Sequence, residues 1–98
     1  MQFPKLTGNI MITDEEGKVV IAGDPQGLRS LATLIAWLAN ADQEKWPYLA
    51  AGQRAHVHAY PGIDISAGSR EVELMRLDAK GTSDLPEGFQ PSRPQRSG

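Results

Sequence analysis

The dipeptide Asp24-Pro25 constrains this chain more than any other feature. An aspartate ahead of a helix accepts hydrogen bonds from the free amides of the first turn. A proline suits the first helical position, where its missing amide is no loss. The pair predicts a helix over residues 25–40. Within it Leu28, Leu31, Ile35 and Leu38 recur at helical spacing, and Ala32 and Leu34 widen the apolar stripe. Ser30, Thr33 and Trp37 point away from the centre of that stripe, and Asn40 closes the segment. Gly27 weakens the first turn, so its presence there predicts a close backbone approach.

A helix with one apolar face needs a partner layer, and the flanking sequence supplies strands. Residues 9–13 (NIMIT) and 18–22 (KVVIA) are β-branched runs joined by Asp14-Glu15-Glu16-Gly17, the signature of a hairpin. Ile10 and Ile12 share one face of the first run; Val19 and Ile21 share one face of the second. After the helix, residues 41–53 read as a loop broken by Pro47 and Gly52, with a helical turn near 48–51. Residues 54–60 (RAHVHAY) alternate as a strand, closed by Pro61-Gly62. Residues 63–69 form a connection anchored by Ile63 and Ile65, and 70–77 (REVELMRL) alternate again as an antiparallel partner. The expected fold is α+β: a four-stranded antiparallel sheet in ββαββ order with one helix packed on one face. Residues 1–78 form the single domain. Residues 79–98, rich in Gly, Pro and Ser, read as a flexible tail.

Composition narrows the function classes. The 98 residues include no cysteine, which excludes disulfides, thiolate metal clusters and thiol catalysis. The formal net charge is -2; Arg93 and Arg96 lie in the tail, so residues 1–87 hold eight basic and twelve acidic groups. An acidic body argues against nucleic-acid binding, which needs clustered cations, and fits a basic protein partner. The longest apolar stretch, 31–39, is too short to span a bilayer, and the N-terminus lacks the apolar core of a secretory signal. The expectation is a cytoplasmic protein without nucleic-acid, membrane or cofactor partners.

Candidate chemistry centres on the two histidines. His56 and His58 are two apart in a strand, so their rings share one face with Tyr60. Such a trio is a docking patch, a packed surface feature, or half of a zinc site that Asp64, Glu71 or Glu73 would have to complete. Asp14-Glu15-Glu16 at the hairpin tip reads as a solvated turn or as an attractor for a basic partner. Gly23-Asp24-Pro25-Gln26-Gly27 lacks the third glycine of a dinucleotide fingerprint and the lysine of a phosphate loop. Ser66 and Ser69 lie outside any nucleophile elbow. Trp37 and Trp46 read as core edge or interface anchors. The residues make no positive case for an enzyme.

Three segments in order carry a family resemblance: residues 23–31 (GDPQGLRSL), opening a helix that continues through Leu34-Ile35 and Leu38-Ala39; His56-Val57-His58; and residues 69–74 (SREVEL). Together they resemble the immunity protein 32 family of bacterial polymorphic toxin systems over residues 10–77. The chain departs from that family in having Ala59-Tyr60 where an aliphatic residue usually follows the His-x-His. The resemblance implies a cytoplasmic protein that binds and blocks a cognate toxin without being a catalyst. It implies contacts at His56, His58, Ser69 and Glu71. The residues themselves add Tyr60, Glu73, Asp14, Glu15 and Glu16 as candidate partner contacts. The other reading is a small homodimeric interaction domain, which pairs free sheet edges.

Overall fold

The structure, a computed structural model, describes residues 3–86. It is α+β, with strand β1 (Ile10–Glu15), strand β2 (Lys18–Gly23), helix α1 (Pro25–Asn40), a 3-10 turn (Gln43–Lys45), strand β3 (His56–Ala59) and strand β4 (Val72–Met75). The ββαββ order matches the sequence pattern. The helical turn after α1 falls at 43–45, ahead of Pro47, and not at 48–51.

The four strands lie in two antiparallel pairs, β1-β2 and β3-β4, and do not join as one sheet. In the first hairpin the ladder runs through Asp14 and Glu15, and only Glu16 and Gly17 turn, both at positive φ. This two-residue turn has the twist that antiparallel strands favour. The sheets stay separate because an irregular segment takes the outer edge of β1. Ser66 and Arg70 donate their amides to the Ile10 and Ile12 carbonyls, each at 2.8 Å. The Ile12 amide donates to the Ser69 hydroxyl at 3.0 Å, where a neighbouring strand would present a carbonyl. The backbone straightens into β4 only beyond that point.

The start of α1 is built as the sequence predicts. Asp24 Oδ1 accepts from the Gly27 amide at 2.7 Å. The same carboxylate holds Asn9, through its amide at 3.1 Å and its Nδ2 at 2.7 Å. These bonds, Asn9 side chain first, lower the Asp24 pKa, with the Gly27 and Asn9 amides adding to the effect. Two backbones cross here almost in contact. A Cβ on Gly27 would lie 2.2 Å from the Asn9 carbonyl oxygen, and one on Gly8 would lie 2.4 Å from the Gly27 nitrogen. Only glycine permits that crossing.

The buried face of α1 differs from the predicted stripe. Gly27, Leu31, Leu34 and Leu38 are buried, whereas Leu28 and Ile35 are exposed. The N-terminal segment causes this rotation by covering the opposite flank. Ser30 accepts from the Thr7 amide and donates to the Thr7 carbonyl, and Phe3 packs on Trp37 with ring centroids 6.1 Å apart. Residues ahead of β1 thus form a strap along the helix, which the alternation of β1 and β2 could not announce.

The core has two clusters. Ile10, Ile12, Leu31, Ala59 and Ile65 form one; Leu38, Leu49 and Ala55 form the other, with Leu74 packed against both. Ile65 anchors its loop, but Ile63, expected beside it, is exposed. Buried Gln43 ties the second cluster together: its Oε1 accepts from the Ala55 amide at 3.0 Å and its Nε2 donates to the Asp78 carbonyl at 2.9 Å. Arg76 closes the end of α1 by donating to the Leu38 and Ala41 carbonyls and pairing with Asp78. A cation at a helix C-terminus also opposes the helix dipole. The Arg76 hydrogen bond lowers the Asp78 pKa.

The first eight residues assigned to a tail, 79–86, hold to this body. Ala79 is buried, the Lys80 amide donates to the Gln53 carbonyl, and Lys80 Nζ donates to the Trp46 and Leu49 carbonyls. The rest of the proposed tail, from Glu87, lies outside the described residues.

Two outcomes follow. Leu34 is 2 % exposed and Ile35 47 %. Leu34→Ala should therefore cost about 2–5 kcal/mol, and Ile35→Ala less than about 1 kcal/mol, by urea denaturation at sub-micromolar protein, where self-association adds nothing to stability. Equal losses would contradict the observed helix rotation. The lowered Asp24 and Asp78 pKa values mean that both carboxylates stabilise the fold when ionised. That contribution is present above the unfolded value of about 3.9 and is lost as pH falls through the folded values. Asp24→Asn keeps a capping side chain but removes one titration, so stability measured from pH 6 to pH 2 should fall less steeply than in the parent chain.

Candidate functional site

The nine candidate contact residues separate into two groups. The outward face of β3 and β4 carries His56, His58 and Glu73, with Tyr60 just past the strand end. Alternation sends Val57 and Ala59 into the core and leaves the histidines on the other side. The rings form a ladder: His56 and His58 meet edge to face at 5.2 Å, and His58 and Tyr60 stack at 5.7 Å with an interplanar angle of 11°. His56 Nδ1 lies 3.0 Å from the Arg54 carbonyl, which orients that ring. His58 Nε2 lies 3.8 Å from Glu73 across the strand pair, and its Nδ1 is buried without a hydrogen-bond partner.

Tyr60 is positioned by a tight turn. Asp64 accepts from the Tyr60 amide at 2.8 Å, while the Tyr60 carbonyl receives the amides of Ile63 and Asp64. One Asp64 carboxylate oxygen is thereby committed to the backbone, and the residue lines a cavity together with His58 and the N-terminal strap. Among the described residues no three His, Asp or Glu side chains are grouped to hold a metal ion.

The ring ladder runs into a cleft that sequence reasoning did not assemble. Phe3, Trp37, Trp46, Pro47, Tyr48, His56 and Val57 line a cavity of about 290 Å³. Trp37 and Trp46 pack at 5.6 Å, and Tyr48 stands 94 % exposed at the mouth. The tryptophans were legible as possible anchors; their meeting with His56 depends on how the 41–55 loop folds back, which has no local signature. His56 belongs to both ladder and cleft, so the aromatic surface is continuous.

The second group lies around β1. Asp14 pairs with Arg70 at 3.3 Å, both side chains well exposed. Glu15 Oε2 accepts from the Thr13 hydroxyl, and Glu16 occupies the turn. Glu71 and Arg70 stand at the rim of a groove of about 350 Å³ walled by Val19, Ile21, Ile35, Val72 and Leu74. Ser69 faces neither surface as a free group, since its hydroxyl holds the edge of β1. No described helix is long and apolar enough to cross a membrane. No family model, curated protein or solved structure matches this chain.

The Ser69 geometry has a direct test. Ser69→Ala leaves the Ile12 amide without its acceptor, so it should destabilise the fold by about 1–3 kcal/mol by chemical denaturation. Parental stability would show that the hydroxyl is dispensable to the fold and free for another role.

Proposed function

We propose that this chain is an immunity-type inhibitor that binds a cognate bacterial toxin domain and blocks it by occupying its surface. The observation that carries the reading is the continuous aromatic surface, exposed at Tyr48, His56 and Tyr60 and half-buried at His58 and Trp46. Tyrosine and tryptophan dominate the energetics of protein interfaces because they desolvate large area while keeping a polar edge. Histidine offers the same combination. His56 and His58 are also positions that the family resemblance implies as contacts.

In this reading Tyr48, His56 and Tyr60 anchor the toxin, and the cleft lined by Trp37, Trp46 and His56 receives one of its apolar side chains. Glu73 and the acidic hairpin tip meet cationic groups on the toxin and speed its approach. Ser69 and Asp64 act indirectly, by holding the segments that carry these side chains. Inhibition is stoichiometric, and the inhibitor works in the compartment where the toxin would harm its producer.

The reading expects a toxin domain to be encoded beside this gene, and the test is co-expression with the C-terminal domain of that neighbouring product. The parent chain should restore growth and co-purify with the toxin. The exposed-site variant Tyr48→Ala/His56→Ala/Tyr60→Ala should keep the parental denaturation midpoint within a few degrees yet lose rescue, with binding at least 100-fold weaker by calorimetry. Full rescue by that variant would remove the aromatic surface from the interface. Failure of the parent chain to rescue or bind would remove the immunity reading itself.

A further inference from the structure

Among the described residues β2 is hydrogen-bonded only to β1. Glu15 and Lys18 flank the two-residue turn, so they form a hydrogen-bonded pair. Alternation then points the amides and carbonyls of Val19 and Ile21 outward, along the open edge. The equivalent outward groups of β1, at Ile10 and Ile12, are taken by residues 66–70. Among the described residues nothing takes those of β2. The strand is six residues long, regular in register and free of proline, with one charge at its end, Lys18. It lacks the devices by which edge strands are normally blunted.

The side chains of the same two residues are equally open. Val19 is 63 % exposed and Ile21 54 %, and beside them on α1 Leu28 is 45 % exposed and Ile35 47 %. A helix about 10 Å across covers roughly two strands spaced about 4.8 Å apart. Here α1 meets β1 and the β3-β4 pair through Leu31 and touches β2 at its Gly23 end, where Leu28 lies, while Val19 and Ile21 further along β2 stay exposed. The four side chains expose on the order of 400 Å² of apolar surface, a patch size that marks interaction sites.

We propose that a second copy of this chain covers this margin. β2 pairs antiparallel with β2 of the copy about a two-fold axis, joining two hairpins into a four-stranded sheet with both helices laid side by side over it. One surface serves both subunits, as a two-fold interface requires. Leu28 and Ile35 of each helix meet above Val19 and Ile21 of both strands. Adding the strand backbone to the apolar patch brings the contact toward the roughly 800 Å² per partner of a stable interface. Charge selects the antiparallel arrangement. The tip residues Asp14, Glu15 and Glu16 would sit together in a parallel pair, whereas the two-fold places them at opposite ends of the new sheet. The aromatic surface on β3 lies outside this contact and stays open to a toxin.

Sedimentation equilibrium of the full 98-residue chain tests this. The parent should have twice the 10.6 kDa chain mass at 10–100 µM. Ile21→Pro removes an outward amide and leaves the β1 ladder intact, so it should give a folded monomer. Ile35→Glu, on the exposed side of α1, should do the same without touching the strand. A monomeric parent at 100 µM overturns the proposal, as does a parental dimer that both variants preserve. A parent that is monomeric alone but loses toxin binding in Ile21→Pro overturns it too, by assigning the edge to the toxin. Toxin rescue is read separately, so dimerisation and immunity fail independently.

Discussion

The Asp24 carboxylate is the joint on which the N-terminal half depends. One side chain receives the Gly27 amide, the Asn9 amide and the Asn9 side chain. It therefore caps α1, pins the chain just ahead of β1 and sets the angle between hairpin and helix. The Asp24 amide completes the joint by donating to the Asn9 carbonyl. The close passage of Gly8 and Gly27 is what lets one carboxylate reach all of these donors. A side chain at either glycine would push the strap away from the helix, and the strap covers Leu34 and supports Trp37.

The C-terminal half is held by a different device. Arg54, Arg76 and Lys80 each direct charged donors at backbone carbonyls from distant parts of the chain. A 98-residue chain without disulfides has a limited core, and irregular segments leave many carbonyls that neither helix nor sheet satisfies. A charged donor makes a stronger hydrogen bond than a neutral one. These cations and buried Gln43 therefore do for the 41–55 and 76–84 segments what a ladder does for strands. The aromatic cleft rests on this scaffold, because Lys80 holds the carbonyl of Trp46, on its wall, and that of neighbouring Leu49.

Two surfaces emerge with opposite character. On β3 the rings of His56, His58 and Tyr60 touch one another and present polar edges, which suits a partner that forms and releases contacts in water. On β2 the exposed side chains are aliphatic, wall a groove and lie along open backbone groups, which suits burial against like surface. Their separation on different hairpins follows from the split of the strands into two pairs. A continuous sheet would have put them on one platform, whereas here residues 66–70 decouple them.

The sequence by itself determined the elements. Asp24-Pro25, the β-branched runs and the alternation around His56-Val57-His58 specify helix and strands through local sterics and hydrogen bonding, which need no distant partner. It likewise determined that His56, His58 and Tyr60 share a face, because strand alternation is a property of the backbone. Tertiary structure alone decided which side of α1 is buried, since Leu34 and Ile35 are equally apolar and only Leu34 faces the strap and the His58 end of β3. It decided that Ser69 bonds to Ile12, 57 residues away, and so splits the sheet. It also brought Trp37 and Trp46 to His56. These outcomes rest on contacts between segments far apart in the chain, and no local pattern of residue types encodes which distant group will meet which.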